Sequence, residues 1–191
     1  QTWVTPKNIN EIMVEAATHI GEIDILSIDL DGNDYWVLEA ATLDDIKLVM
    51  VENNPLFDSY VPVSVPRDDS FYRFDAHHSG LYWGASISAF VHLLESRGFR
   101  LVGRNSKGFN AFFLKAEVVD NDPLLRQFAS NVDLSSETWG IREGRNVSGN
   151  LTFEDPARLL EDCGDLPLIN VATGEQMALA NLGRLSTTHD A

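Results

Sequence analysis

The chain has 191 residues, 44% of them hydrophobic and 23% charged, which supports one substantial core or one domain with an appendage. Its formal net charge of −15 argues against nucleic acid or an anionic membrane as the main partner. The single cysteine, Cys163, excludes an internal disulfide and favours a reducing compartment, so a cytoplasmic location is expected. No apolar run approaches the roughly 20 residues of a membrane span.

The first elements alternate between helix and strand. Residues 8–17 place apolar side chains on one face of a helix, and residues 23–28 form the apolar run typical of a buried strand. Residues 35–41 then predict a second helix and residues 48–51 a second buried strand. This alternation predicts an α/β fold with a parallel sheet.

Polar residues follow both predicted strands. Asp29, Asp31 and Asp34 come after the first strand, and Glu52 and Asn53 end the second. Ligands bind at the carboxyl ends of strands in open parallel sheets, and crowded carboxylates need a cation or a donor to offset them. The two strand ends therefore predict one shared site. The alternative is structural, because Asp29 or Asp31 could instead cap the following helix by accepting backbone N–H bonds.

Residues 53–83 interrupt the alternation with an insert rich in proline and aromatic residues. Loops of this length in a compact domain are usually functional. His77 and His78 could supply a general base for a substrate hydroxyl, since imidazole titrates near neutral pH, or they could be solvated loop residues. Tyr82 and Trp83 could wall an acceptor pocket or stack on a sugar, or they could belong to a self-packing lid.

The sheet is expected to end in a hairpin. Residues 84–97 have the apolar periodicity of an amphipathic helix that stops at Gly98. Residues 99–103 and 110–114 then predict two strands joined by a turn. The expected architecture is a mostly parallel sheet with a terminal antiparallel hairpin strand.

The remaining residues are less regular. We place a boundary near residues 118–122, which gives an α/β domain over residues 1–119 and an appendage over residues 120–191. The appendage is predicted to be irregular and helical, with short helices at residues 122–129, 154–163 and 173–185.

Over roughly residues 4–116 the chain resembles the C-terminal half of a class I S-adenosylmethionine-dependent methyltransferase, and most closely the FkbM-like sugar and natural-product methyltransferases. The motifs are Ile28-Asp29-Leu30-Asp31-Gly32 and Val51-Glu52-Asn53-Asn54, followed by a helix at 84–97 and a hairpin at 99–114. The resemblance implies a Rossmann-like sheet. It also implies methyl transfer from S-adenosylmethionine to a hydroxyl of a small molecule or sugar.

The strand-end residues that carry the resemblance and the residues of the insert together give the expected roles. Asp29 and Asp31 would be catalytic, with His77 or His78 as the base. Substrate contacts would come from Glu52, Asn53, Tyr82 and Trp83.

The chain also has a looser similarity to cation-dependent catechol-type O-methyltransferases. That similarity implies Mg²⁺ held by Asp29, Glu52 and Asn53, since Mg²⁺ prefers oxygen ligands and keeps waters that a substrate hydroxyl can replace. The sequence departs from this group at Gly32, which stands where a lysine often assists deprotonation.

In class I methyltransferases a Gly-rich loop in the first half of the fold holds the cofactor, and this sequence contains no Gly-x-Gly. We expect either that the cofactor half precedes Gln1, which is not a natural start, or that the chain is a remnant without the usual cofactor site. The alternative function is a non-catalytic α/β interaction domain. A half-sheet also exposes a parallel edge that needs covering, either by another copy of the chain in a homo-oligomer or by the chain's own tail.

Overall fold

We describe the protein from a computed structural model, which describes residues 2–57, 60–134, 142–154 and 162–182. Its helices are α1 Ile9–Ile20, α2 Asp34–Ala40, α3 Arg73–Ala76, α4 Ile87–Ser96, α5 Ala116–Asn121 and α6 Pro123–Ser130, with a 3₁₀ turn at Leu179–Asn181. Its strands are β1 Ile25–Ile28, β2 Leu48–Glu52, β3 Val63–Ser64, β4 Phe99–Arg104, β5 Asn110–Lys115, β6 Arg142–Arg145, β7 Leu151–Glu154, β8 Pro167–Asn170 and β9 Gln176–Ala178.

The main sheet has the strand order β1-β2-β5-β4. The prediction of a mostly parallel Rossmann-like sheet is wrong, because the sheet is mixed and only β1 and β2 pair in parallel. Strand β5 is antiparallel to β2 on one side and to β4 on the other. The reason is the β4–β5 hairpin, which turns the chain back so that β5 inserts between β2 and β4.

One face of this sheet forms the main core. Val49 and Val51 of β2 and Phe113 of β5 are fully buried and cluster with residues of α1, α2 and α4. The opposite face pairs Leu48 with Leu114 and Met50 with Phe112, and these four side chains are only partly buried. The apolar runs predicted strands buried on both faces, whereas the described residues cover one face.

Side-chain hydrogen bonds fix the ends of the core helices. Ser86 is the N-cap of α4, and its hydroxyl accepts the backbone N–H of Ala89 at 3.2 Å. Arg97, just after α4, donates to the carbonyl of Ala41 at 2.9 Å and so holds the end of α2. These contacts tie the two helices that cover the sheet.

A second, smaller layer joins the insert to the C-terminal segment. Strand β3 of the insert pairs antiparallel with β8, and β8 pairs antiparallel with β9. Val63, Tyr82, Cys163 and Leu168 are buried together in a second apolar cluster. The C-terminal segment therefore packs on the insert.

The prediction of a helical appendage over residues 120–191 is wrong after α6, where the described residues form strands β6 to β9 and one 3₁₀ turn. The expected helix at residues 122–129 is observed as α6. Of the helix expected at residues 173–185, the described residues 173–182 instead contain β9 and the 3₁₀ turn, because Gln176–Ala178 extends the β3-β8-β9 sheet. The helix expected at residues 154–163 lies mostly outside the described residues. None of the described helices has the length and apolar character needed to span a membrane.

Candidate functional site

The parallel pairing of β1 and β2 brings three carboxylates together. Ile28 is paired with Val51, so the residues that follow both strands leave the sheet together at the carboxyl ends of β1 and β2. Oxygen atoms of Asp29, Asp31 and Glu52 lie within 4.8 Å of one another. Asp29 and Asp31 are exposed and Glu52 is partly buried. We call these three residues the acidic cluster.

The acidic loop, residues 29–34, is shaped by a fourth carboxylate. Asp34 is fully buried at the first position of α2. Its two oxygens accept the backbone N–H groups of Leu30 at 2.8 Å and Gly32 at 2.9 Å. Burial raises the pKa of Asp34 to about 6, although those hydrogen bonds oppose the shift. The backbone-binding role expected of Asp29 or Asp31 thus falls to Asp34.

Glu52 is the member of the acidic cluster whose pKa is raised. Burial, followed by the charges of Asp29, Asp34 and Asp31, raises the pKa of Glu52 to about 8, and the charge of Arg73 opposes that rise. One oxygen, Oε2, is buried and has no hydrogen-bond partner among the described residues. An ionised, unpartnered carboxylate oxygen in such a position is stabilised by a cation.

The insert contacts the acidic loop directly. Arg73 Nη1 lies 2.6 Å from Asp31 Oδ1, the side chain of Asn33 donates to the carbonyl of Asp68, and the ring of Phe71 packs against Gly32. Arg73 was not predicted to be a site residue. A signal was present, since Arg73 stands between Tyr72 and Phe74 in an insert that was expected to be functional.

Asn53 lies next to Glu52 but in the interior. The residue is fully buried, and its backbone N–H donates to the carbonyl of Phe109 at 2.7 Å. Neither side-chain amide atom has a partner within the described parts of the chain. Its roles as a metal ligand and a substrate ligand stay predictions.

His77 and His78 lie beside the second apolar cluster. His77 Nδ1 is 2.7 Å from Ser79 Oγ and 3.2 Å from Cys163 Sγ, and the two imidazole rings are 4.2 Å apart. Burial lowers the pKa of His77, and the neighbouring His78 adds to that effect. These contacts link the insert to the C-terminal segment, and a role as catalytic base stays a prediction for either histidine.

Tyr82 and Trp83 are interior residues, each only 4% exposed. The Tyr82 hydroxyl donates to the carbonyl of Pro167, and burial raises its pKa. The carbonyl of Trp83 accepts a hydrogen bond from Asn54 Nδ2 at 2.9 Å. Both residues hold the insert in place, and their contact with an acceptor stays a prediction.

The geometry suits a hard divalent cation. Three carboxylates from two strand ends offer oxygen ligands, while the exposure of Asp29 and Asp31 leaves room for waters or a substrate hydroxyl. Comparison with known proteins gives no further guidance, since no family model, curated protein or solved structure matches this chain.

Proposed function

We propose that this chain provides the acceptor side of an enzyme that transfers a methyl group from S-adenosylmethionine to a hydroxyl of a small molecule or sugar. The observation that carries the proposal is the convergence of Asp29, Asp31 and Glu52 within 4.8 Å at one edge of the sheet. The strand-end motifs of the FkbM-like resemblance supply two of these three positions from the first strand and one from the second.

The acidic cluster fits Mg²⁺, whereas the described residues show no matching site for S-adenosylmethionine. Asp29, Asp31 and Glu52 would hold the cation, and Glu52 Oε2 is the buried oxygen that lacks a partner among the described residues. When bound, Mg²⁺ supplies a Lewis acid that favours the ionised form of an acceptor hydroxyl. For S-adenosylmethionine the sequence offers no Gly-x-Gly loop, and we assign no residue of this chain to it.

The chain's own residues would orient the acceptor, and the proton of its hydroxyl would pass to His77 or His78, the predicted base. Asp29 and Asp31 face solvent and can align a hydroxyl, which is the main requirement of methyl transfer. Glu52 must lose its proton to act as a ligand, so cation binding should strengthen as the pH rises through about 8. Asp34 would contribute indirectly by holding the loop in shape.

The direct test is transfer of labelled methyl groups. The full-length gene product that contains these residues is incubated with methyl-labelled S-adenosylmethionine and a panel of sugars and hydroxylated small molecules, with either Mg²⁺ or EDTA. We expect labelled product that requires Mg²⁺ and falls at least about 100-fold in Asp29→Asn and Glu52→Gln. The control Asp44→Asn, an exposed carboxylate outside the cluster, should keep wild-type activity.

A negative result would favour the alternative function. If no acceptor is labelled and calorimetry detects no heat with S-adenosylmethionine, methyl transfer by this chain is contradicted. A non-catalytic interaction domain is favoured by the partly exposed apolar face formed by Leu48, Met50, Phe112 and Leu114. Sedimentation velocity would then test whether this face and the β1 edge support a homo-oligomer.

A further inference from the structure

A second concave site, which we call the β4 pocket, lies at the other edge of the main sheet from β1. Strand β4 forms that edge, and β5 separates it from β2, so the pocket is distinct from the acidic cluster at the ends of β1 and β2. The pocket has a volume of about 370 Å³ and is lined by α4, β4, α5, α6 and the residues that follow α6. Small-molecule sites usually occupy roughly 300–1,000 Å³, so the β4 pocket is large enough for a small ligand.

The floor of the β4 pocket is apolar. Val119 is fully buried, and Leu101 is only 7% exposed. Val91, Val132 and Leu134 also line the pocket, and these partly buried side chains pack against the main core. A hydrocarbon group that settles on this floor loses contact with water, which favours binding of a ligand with an apolar body.

Two acidic and two basic side chains also line the pocket, namely those of Glu95, Asp120, Arg100 and Arg126. Their formal charges cancel, although the protein as a whole carries a net charge of −15. Arg100 is held by Asp120 through two hydrogen bonds, Nε to Oδ1 at 3.1 Å and Nη2 to Oδ2 at 3.2 Å. A paired guanidinium and carboxylate of this kind neutralise each other.

Arg126 and Glu95 supply the remaining charges. Both residues are exposed, and neither side chain makes a hydrogen bond or a close ion pair within the part of the chain that the structure describes. Glu95 lies near enough to Arg100 to add to the rise in the pKa of Arg100 that Asp120 causes. The pocket therefore offers an apolar floor with one unpaired cation and one carboxylate that is not hydrogen-bonded.

We propose that the β4 pocket binds a free apolar α-amino acid. Its carboxylate pairs with Arg126, its ammonium group pairs with Glu95, and its side chain packs on the apolar floor. A simple carboxylate fits less well, because two acidic side chains line the pocket and the whole protein is strongly negative. A simple amine would leave Arg126 unpaired, whereas a zwitterion complements both charges. The proposal depends neither on methyl transfer nor on the cation site.

Three ligands that share a phenyl group separate these contributions. Calorimetry on the full-length gene product that contains these residues compares phenylalanine with 3-phenylpropanoate, which lacks the ammonium group, and with 2-phenylethylamine, which lacks the carboxylate. We expect phenylalanine to bind at least about threefold more tightly than either analogue. Alanine, which has little apolar surface to bury, should bind at least about tenfold more weakly than phenylalanine.

Exchanging the charged residues locates the site. Arg126→Gln should weaken binding of phenylalanine and 3-phenylpropanoate at least about threefold and leave 2-phenylethylamine unaffected. Glu95→Gln should weaken phenylalanine and 2-phenylethylamine and leave 3-phenylpropanoate unaffected. Ala129→Leu, which places a larger side chain in the pocket, should weaken all three ligands. The control Arg67→Gln, at an exposed position in the insert, should bind like the wild type.

Arg126 and Glu95 are exposed, so their variants should keep the wild-type circular dichroism spectrum. Absence of heat with phenylalanine would overturn the proposal, as would variants of Arg126 and Glu95 that bind all three ligands like the wild type. Tighter binding of 3-phenylpropanoate than of phenylalanine would also overturn it. Methyl transfer is measured separately, so none of these results decides the proposed reaction.

Discussion

The backbone N–H of Gly32 donates a hydrogen bond to Oδ2 of the buried Asp34 at 2.9 Å. The other oxygen of Asp34 accepts from Leu30 at 2.8 Å, so the acidic loop is wrapped around one carboxylate. This arrangement explains how two exposed aspartates are held close to Glu52. The loop is shaped by a residue that does not itself belong to the cluster.

Replacing Asp34 should therefore damage the loop. Asp34→Ala removes the acceptor for two backbone N–H groups, and we expect the free energy of unfolding to fall by about 2–4 kcal/mol. Urea denaturation measures this loss. Asp45→Ala, at an exposed position after α2 has ended at Ala40, should change the free energy of unfolding by less than about 0.5 kcal/mol. Equal effects in the two variants would show that the hydrogen bonds of Asp34 do not shape the loop.

Glu52 should give the protein an unusual dependence on pH. Burial and neighbouring carboxylates raise its pKa from 4.5 to about 8, so the folded protein holds this proton more tightly than the unfolded chain does. The resulting stability is fully present below about pH 4.5 and is lost as the pH rises through about 8.

Because the Glu52 side chain is only partly buried, we expect a modest effect: the free energy of unfolding should be about 1–2 kcal/mol lower at pH 9 than at pH 5. Urea titrations at both pH values measure the difference. Glu52→Gln should remove this component, while Glu11→Gln, on the exposed side of α1, should retain it. An unchanged pH profile in Glu52→Gln would show that Glu52 titrates at an ordinary pH.

Ser86 joins the insert to the main core. Its hydroxyl donates to the carbonyl of Val61 at 2.8 Å and accepts the N–H of Val63 at 3.0 Å, in addition to capping α4. Ser86→Ala should lower the free energy of unfolding by about 2–4 kcal/mol, because it removes a cap and leaves a buried donor without an acceptor. Ser96→Ala, at the exposed end of the same helix, is the matched control. Similar losses in both variants would contradict the linking role of Ser86.

Cys163 should be unreactive in the folded protein. Burial raises its pKa from 9.0 to about 11, and the thiolate is the reactive form. At pH 8 we expect alkylation by iodoacetamide at least about 100-fold slower than that of free cysteine. One equivalent should react promptly in denaturant, since the sequence has a single cysteine. Rapid labelling of the native protein would contradict the buried contact between Cys163 and His77.

Local patterns were sufficient to locate the first elements and the acidic cluster. Apolar runs indicated β1 and β2, and the polar residues that follow them indicated where Asp29, Asp31 and Glu52 would meet. The strand directions could not be obtained in the same way. A hairpin pattern shows that β4 and β5 are antiparallel neighbours, but it does not show that β5 inserts between β4 and β2.

Long-range contacts account for the remaining differences. Pairing of β8 with β3 joins residues that are more than 100 positions apart, and no local periodicity records it. The contact between Asp31 and Arg73 likewise joins two segments 42 residues apart. Sequence patterns also indicated where Asp34 stands, but not that its carboxylate binds the backbone N–H groups of Leu30 and Gly32.

The most direct test of the account is cation binding at Asp29, Asp31 and Glu52. Titration with Mn²⁺, followed by the electron paramagnetic resonance signal of the free ion, should show one site per chain in the wild type. Affinity should fall at least about tenfold in Asp29→Asn and Glu52→Gln and stay unchanged in Asp44→Asn. Wild-type binding no stronger than that of the Asp29→Asn and Glu52→Gln variants would contradict the cation site.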